Sequence, residues 1–176
     1  MKKLAYIFCL IGILVFGLTA CDEAEISRVE EDQTETDESN NAEENNAGPE
    51  IFAIGDTVQF NDLKVTLVGV REVQDEYFNP DNDKFVAVEL HIENTGSESE
   101  NISTLMQMKF LADGYEQDQT IVDVKGSLDG EVGAGRTMKG EVAFDIEEAE
   151  TYEFIFEDPF VNGQAIWEFT NADITQ

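Results

Sequence analysis

Basic residues are scarce in this chain, which has 10 Lys and Arg against 39 Asp and Glu and a formal net charge of -29. Because such a surface repels phosphate groups, the composition excludes nucleic-acid binding as the main role. It also excludes adhesion to anionic lipid through protein charge alone. Hydrophobic residues still make up 41% of the 176 residues, which is enough for a single domain with appended segments.

Long apolar runs are rare too, and the run from Leu4 to Phe16 is shorter than the ~20 residues of a membrane-spanning helix. It follows a pair of lysines and precedes the sequence Leu-Thr-Ala-Cys ending at Cys21, which resembles a bacterial lipobox. A lipobox cysteine receives a diacylglyceryl group on its thiolate before the signal is cleaved. We therefore expect residues 1–20 to be a lipoprotein signal peptide and Cys21 to anchor the chain on the extracytoplasmic face of the cell membrane. An ordinary secretory signal and an uncleaved membrane anchor are the alternatives.

Cysteine is limited to Cys9 and Cys21. Cys9 lies in the run that cleavage removes, and the lipid thioether consumes Cys21, so the mature chain would have no free thiol. A disulfide framework, a Cys metal site and a Cys nucleophile are therefore excluded. Beyond the covalent diacylglycerol we expect no cofactor, and the exported domain must be stabilised by its own apolar core.

The segment after the lipobox is strongly acidic. Residues 22–50 contain twelve Asp and Glu, and their one basic residue is Arg28. Low hydrophobicity and high like charge predict disorder. We expect residues 21–50 to form a lipidated, disordered acidic tether, which would reach roughly 100 Å when fully stretched and hold the domain off the bilayer. A plain linker whose length has no function is the alternative.

Residues 51–176 consist of short runs in which apolar and polar residues alternate, separated by Gly, Asn and Asp. No window keeps a helical period for three turns. In the clearest run Val86, Val88, Leu90 and Ile92 share one face of a strand. The pattern predicts an all-β domain of about seven or eight strands.

One face of each predicted strand is apolar and the other is acidic, so two sheets must pack with their apolar faces together. We therefore predict a two-sheet antiparallel β-sandwich. The dipeptide Asn162-Gly163, between Phe160-Val161 and residues 165–169, predicts a tight type I′ hairpin turn. The predicted core contains Val88, Phe144, Phe154, Phe156 and Trp167.

Five short motifs occur in order between residues 54 and 169: Ile54-Gly55-Asp56, Phe85 to Leu90 with Asn94-Thr95-Gly96, Phe110 to Tyr115, Val132 to Gly135, and Gly140 to Ile146. Together they resemble a family of unknown function found in lipid-anchored proteins of Gram-positive bacteria. The usual Pro of the fourth motif is Ala134 here. The resemblance implies an immunoglobulin-like sandwich related to the mycobacterial immunoprotective extracellular antigen. It implies no reaction and no catalytic residues.

Candidate metal ligands are few. His91, the sole histidine, shares the outward face of its predicted strand with Glu89 and Glu93, each roughly 7 Å away, and this row offers ligands to a divalent cation. The alternative is a solvated stripe in which the carboxylates favour a protonated imidazole. Asp81 and Asp83 offer oxygen ligands for a weak Ca²⁺ site. Ordinary turn chemistry is the alternative there, because the glycine and the distal Glu of an EF-hand are missing.

We predict no catalytic residues. A single histidine would have to serve any Ser or Thr triad, and the glycine-rich residues 126–140 lack the Lys-Ser/Thr pair of a phosphate-binding loop. The favoured interpretation is a non-catalytic binding or interaction module for an envelope protein or an exported ligand. A Ca²⁺-responsive surface protein and an envelope hydrolase with paired carboxylates are the alternatives. Solubility in saline or alkaline surroundings would explain the acidic excess by itself.

Overall fold

The computed structural model of the protein describes residues 24–29 and 50–176. These residues form fourteen strands, one short α-helix and one 3-10 helix. The elements in chain order are β1 (Ile26–Arg28), β2 (Ile51–Phe52), β3 (Thr57–Phe60), β4 (Leu63–Val73), β5 (Lys84–Asn94), β6 (Glu100–Ile102), α1 (Thr104–Gln107), β7 (Met108–Ala112), β8 (Tyr115–Glu116), β9 (Asp118–Thr120), β10 (Gly130–Val132), β11 (Thr137–Ile146), β12 (Tyr152–Glu157), β13 (Gln164–Phe169), the 3-10 helix (Asn171–Asp173) and β14 (Ile174–Thr175).

Two sheets make up the domain. The larger has the order β1-β3-β4-β5-β11-β9, with β14 parallel to the later part of β4. The smaller has the order β2-β13-β12-β7-β8, in which β2 is parallel to β13. The other strand pairs are antiparallel. One of them, β6 with β10, forms a small two-stranded sheet that is separate from the two main sheets. The predicted β-sandwich is confirmed, with two short parallel pairs added to its antiparallel ladders.

The alternation in β5 produces the faces that the sequence predicts. Val86, Val88, Leu90 and Ile92 are buried, whereas Glu93 is exposed on the other face. The outer face is not wholly solvated, however. Near the start of the strand, two outward residues pack with neighbours into a second small cluster, which comprises Val73, Phe85, Ala87, Val122 and Ala143.

Aromatic side chains from both sheets form the main core. Phe110 of β7 contacts the ring of Phe144 across the sandwich, with centroids 5.2 Å apart, and the rings of Tyr152 and Phe169 in its own sheet at 5.6 and 5.7 Å. Such tilted and edge-on contacts add to the free energy gained by burying the rings. The predicted core is confirmed, because all five of its members are 0% exposed: Val88, Phe144, Phe154, Phe156 and Trp167.

Residues 24–29 are the largest departure from the sequence-based prediction. β1 pairs with β3, so that Ile26 lies opposite Phe60 and Arg28 opposite Val58. Arg28 forms an ion pair with Asp56 and lies 5.0 Å from the Phe52 ring centroid. The prediction of a disordered tether over 21–50 is therefore wrong for these six residues.

The physical reason is that a short strand needs few apolar residues when a sheet edge supplies its backbone partners. Ala24 and Ile26 pack against the core, and the lone cation of the segment finds carboxylates on the domain. The predicted signal peptide, Cys21 and the rest of the predicted tether lie outside the described residues.

The hairpin between β12 and β13 also differs from the prediction. Glu157 pairs with Gln164, so the connection spans residues 158–163. The predicted two-residue turn is wrong, since Gly163 has a φ of 126° but Asn162 does not have a positive φ. Pro159 has no N–H to donate to a ladder, which explains why Phe160 and Val161 do not extend the strand.

Seven strands have four or more residues, and they match the runs of alternating residues in the sequence. The other seven are two or three residues long, which is too short for alternation to reveal them. Met106 lies in α1 rather than in the predicted strand, and residues 121–124, a possible strand from sequence, have no strand structure.

The two ends of the sandwich differ in which segments they contain. We call the end that contains Ala24 the proximal end. Ala24 donates a hydrogen bond to Asn162 O at 2.7 Å there, and β1 begins beside the turn from β3 to β4. Residues 95–99, α1, 133–136 and 158–163 lie at this end, as the strand registers require. The opposite, distal end contains residues 74–83, 113–114, 147–151 and 170–173.

Among the described residues, no helix is long and apolar enough to cross a membrane.

The central position of Phe110 predicts a large loss of stability on truncation. Phe110→Ala removes a side chain that is 0% exposed and contacts three aromatic rings, so we expect the free energy of unfolding to fall by about 3–5 kcal/mol. Denaturant unfolding of residues 22–176 measures this value. Ile121→Ala, at a side chain that is 93% exposed, is the control and should change it by less than about 0.5 kcal/mol. Similar losses in both variants would contradict the central role of Phe110.

Candidate functional site

The distal end is built by aspartates that accept hydrogen bonds from loop backbone. The Asp113 carboxylate accepts bonds from the N–H groups of Glu150 and Thr151 and from the Thr151 hydroxyl, at 3.0 to 3.3 Å. Asp173 accepts the N–H and the hydroxyl of Thr170 at 2.9 and 2.8 Å. These backbone hydrogen bonds lower the pKa of both carboxyl groups. Asp113 thus fixes the neighbouring 147–151 loop, and Asp173 fixes the turn in which it lies.

Asp75 holds two aromatic residues in an exposed position. Its Oδ1 accepts the N–H groups of Tyr77 and Phe78 at 2.8 and 3.0 Å, and its Oδ2 accepts the N–H of Asp123 at 3.3 Å. Those backbone bonds, that of Tyr77 first, lower the pKa of Asp75. The side chain of Tyr77 is 81% exposed and that of Phe78 60%. A short, pinned turn therefore displays two large rings to solvent.

The loop that contains the predicted calcium ligands is fixed in a similar way. Asp145, buried at the end of β11, accepts the N–H groups of Asp81 and Asn82 at 2.7 and 3.2 Å. Asp83 accepts the N–H of Glu148 at 2.8 Å. The Asp83 carboxylate therefore accepts a backbone hydrogen bond. This bond attaches the acidic loop before β5 to residues 147–151.

The predicted row on β5 lies where alternation places it. His91 Nε2 is 3.6 Å from Glu89 Oε1, and Glu93 is exposed on the same outer face. An open depression of about 330 Å³ includes His91 and Glu93 together with Lys64 and Lys139 from neighbouring strands. The two lysines make this face less favourable for a cation than the sequence suggested.

Across residues 24–29 and 50–176, no group of three or more His, Cys, Asp and Glu side chains has an arrangement that could hold a metal ion. The structure thus brings neither predicted ligand set together as a cluster. The Ca²⁺ site at Asp81 and Asp83 and the cation site at Glu89, His91 and Glu93 stay predictions.

A partly buried ion pair crosses the outer face of the larger sheet. Arg71 Nε and Nη2 donate to the two oxygens of Glu141 at 2.9 and 2.7 Å. The same carboxylate accepts the Lys125 N–H at 2.8 Å. The Arg71 guanidinium holds the pKa of Glu141 below its usual value, while burial opposes that shift. These contacts hold the segment that begins at Ile121 against β11.

Close backbone contact reinforces this attachment. Gly126 forms a bridge with Gly140, and a Cβ on Gly140 would lie 2.9 Å from the backbone of Ser127. The segment borders an open groove of about 410 Å³ together with α1, which contributes Leu105. A second depression of about 330 Å³ lies on the other side of α1 and contains Met106, Pro159 and Phe160.

Sequence reasoning missed the exposed aromatic residues of the distal end. They are Tyr77 and Phe78, together with Tyr115 after the turn at Asp113-Gly114. Asp75 gives one local signal, because an Asp side chain readily accepts a hydrogen bond from the backbone N–H two residues later in an Asx turn.

Comparisons with known proteins agree with this architecture. The sequence model of a family described as a domain of unknown function, DUF4352, matches residues 52–166. No curated protein sequence matches the chain. The matched region begins at β2 and ends in β13, so it covers both sheets of the sandwich.

Solved structures share the fold at low sequence identity. The Bacillus subtilis protein ycdA, described as a candidate lipoprotein, has a TM-score of 0.55 and 13% identity, with 64% of this chain and 38% of that chain covered. The yjhA protein of Bacillus subtilis has a TM-score of 0.54 and 12% identity over 67% of this chain and 98% of that one. The secreted Mycobacterium tuberculosis protein MPT63 has a TM-score of 0.48 and 12% identity, with coverage of 70% and 99%. The chain thus spans less than half of ycdA, and at these identities the first two matches show the fold alone.

The hydrogen bonds of Asp113 predict acid sensitivity at the distal end. Its pKa is lower in the folded state than the ordinary value of 3.8. The resulting stabilisation is complete above the ordinary value and is lost as the pH falls through the folded-state pKa. Asp113→Asn should therefore melt at a lower temperature than wild type at pH 7, and the difference should shrink in acid.

Thermal unfolding between pH 7 and pH 2 checks this expectation. Asn suits the left-handed backbone of residue 113, whose φ is 46°, so the substitution adds no strain. Asp81→Asn is the matched control, since the Asp81 side chain makes no hydrogen bond within the described part of the chain. Equal melting temperatures of wild type and Asp113→Asn at pH 7 would refute the stabilising role of this carboxylate.

Proposed function

Because the chain belongs to the DUF4352 family of domains of unknown function, we propose that it is a non-catalytic binding module. It is held by lipid on Cys21 at the extracytoplasmic face of the cell membrane. Its partner is an envelope protein or an exported ligand, bound by the loops at the distal end. The sandwich presents those loops to the partner in a fixed arrangement.

The display of Tyr77, Phe78 and Tyr115 on pinned loops is the observation that carries the proposal. Aromatic residues are enriched in the centres of protein interfaces, where they bury large areas at a low cost in side-chain entropy. The loops around them are held by Asp75 and Asp113, so little backbone freedom would be lost on binding. The surrounding carboxylates would form a polar rim and favour a partner with basic residues.

The buried carboxylates support a non-catalytic role. Glu141 binds Arg71 and the Lys125 N–H, and Asp145 binds the loop backbone at Asp81 and Asn82. A hydrolytic pair would need two carboxyl groups that face each other in a cleft. Both buried groups instead stabilise the fold, and the family description names no reaction.

The lipobox-like sequence ending at Cys21 supports the anchored location. One structure with the same fold, ycdA, is described as a candidate lipoprotein, and another, MPT63, as a secreted protein. Both descriptions fit an exported domain. Two or more acyl chains would hold the mature protein stably on the membrane.

Cys21→Ser tests the anchor. Without the thiol no diacylglyceryl group can be attached, so we expect the protein to lose lipid labelling and to leave the membrane fraction. Metabolic labelling with an alkyne fatty acid and fractionation of cells measure both effects. Cys9→Ser is the control and should leave both unchanged. Membrane retention and labelling of Cys21→Ser at the wild-type level would contradict lipidation at this residue.

In-cell photocrosslinking tests the binding surface. A photoreactive residue at Tyr77 or Tyr115 should capture one reproducible partner, whereas the same residue at Glu93 on the outer sheet face should not. The double variant Tyr77→Ser/Phe78→Ser should abolish capture from Tyr115, because the proposal assigns all three rings to the same partner. Leu105→Ser, an exposed apolar control in α1 at the proximal end, should retain capture. Equal capture from Glu93, or capture that survives the double variant, would contradict the proposal.

A further inference from the structure

We infer that the proximal end of the sandwich rests on the phospholipid bilayer, with the ring of Phe160 in the headgroup layer. This inference relies on the lipid anchor proposed at Cys21 and goes beyond it, because an anchor alone fixes neither the height nor the orientation of a domain. The two observations that carry it are the position where β1 begins and the apolar residues exposed beside that position.

The spacing between the anchor and the first strand sets the height. Ala24 is the first described residue, and it is tied to Asn162 by a hydrogen bond of 2.7 Å. Three residue steps separate Cys21 from Ala24, and a fully extended chain spans at most about 3.6 Å per residue, or ~11 Å in all. The headgroup layer of one leaflet is itself roughly 6 Å thick. The proximal end can therefore stand no more than about 5 Å above the headgroup layer, whereas a tether of 29 residues would have allowed roughly 100 Å.

An exposed apolar patch lies at the point where the anchor joins the domain. Phe160 is two residues from Asn162 and is 83% exposed. Its backbone is fixed by a hydrogen bond of 2.8 Å to Asp158 Oδ1. Met106 of α1 is 51% exposed and borders the same depression as Phe160 and Pro159. Aromatic and aliphatic side chains presented in this way are typical of surfaces that insert into the membrane interface.

Packing also fixes the end of the sandwich at which β1 begins. A Cβ on Gly163 would lie 2.9 Å from Ile26 Cδ1 and 3.2 Å from Ala24 Cβ, so the start of β1 packs closely on the 158–163 hairpin. The hairpin that carries Phe160 is thus in direct contact with the first residues of the described chain, Ala24 and Ile26. Since β1 runs from the proximal towards the distal end, the bilayer must lie on the proximal side.

The distribution of charge fits this orientation. Lys64, Lys109 and Lys139 each lie in the first three residues of strands that begin at the proximal end. The distal loops instead carry the aspartates that pin them, Asp75, Asp83 and Asp113. A chain of net charge -29 is repelled least when its most acidic end points away from lipid phosphates.

Fluorescence quenching on the lipidated full-length protein tests the inference. The mature chain keeps no free cysteine after lipidation of Cys21, so Phe160→Cys and Tyr77→Cys each provide a single site for an environment-sensitive nitrobenzoxadiazole label. The variants are reconstituted in phosphatidylcholine vesicles that contain nitroxide lipids labelled in the headgroup. We expect at least twofold stronger quenching at residue 160 than at residue 77.

A control insertion distinguishes the distance between the domain and the bilayer from the attachment of the protein to the vesicle. Twenty Gly and Ser residues placed between Glu23 and Ala24 should abolish the difference between residues 160 and 77 and leave vesicle flotation unchanged. Loss of flotation in the parent protein would mean that the anchor itself fails, which refutes the proposed function. Flotation with equally weak quenching at both residues would refute only the inference on orientation.

A second reporter tests Phe160 itself. A label at Asn101→Cys, which borders the same depression, should be quenched by headgroup nitroxides, and Phe160→Ser should reduce that quenching by half or more. Phe160→Ser has no folding cost to mask this result, because the side chain is exposed. Protection of the label from aqueous dithionite without nitroxide quenching would mean that protein covers the patch, which would overturn the inference.

Discussion

The contact between the two apolar sheet faces is the interaction on which the rest of this structure depends. The described chain contains no cysteine, so no disulfide holds the sheets together. Phe110 and Phe144 meet across the interface, and Phe60 of the larger sheet meets Phe156 of the smaller at 5.3 Å. Each long strand must therefore supply apolar residues at alternate positions, which leaves the other positions free for the acidic surface.

The large acidic excess has a structural use that composition does not reveal. Several carboxylates accept hydrogen bonds from loop N–H groups that have no partner in a sheet, and Glu141 fixes a covering segment through Arg71. A carboxylate with two oxygens can satisfy two or three such donors at once. The acidic residues at the distal end thus replace regular secondary structure as the means of ordering the loops that connect the sheets.

The fold could be predicted from sequence because alternation over five or more residues determines a buried face, as in β5 and β11. The role of Ile26 could not, because a three-residue strand has no period and depends on the edge of β3, which is distant in sequence. The use of Asp83 as a backbone acceptor rather than a free ligand depends on Glu148, 65 residues away. The exposed aromatic residues of the distal end could not be predicted, because they lie outside the alternating runs. There, residue type alone does not distinguish an exposed ring from a buried one.

The docking of β1 turns the acidic stretch after it into a closed loop. Val29 donates a hydrogen bond to Thr57 O at 2.9 Å, and Glu50 lies 3.5 Å from Arg28, so both ends of the stretch are held by the sandwich. Closure entropy rises only with the logarithm of loop length, and a doubling costs about 0.6 kcal/mol. A change in the number of residues between 30 and 49 should therefore alter the free energy of unfolding by only a few tenths of a kcal/mol, unless it approaches a doubling of the loop.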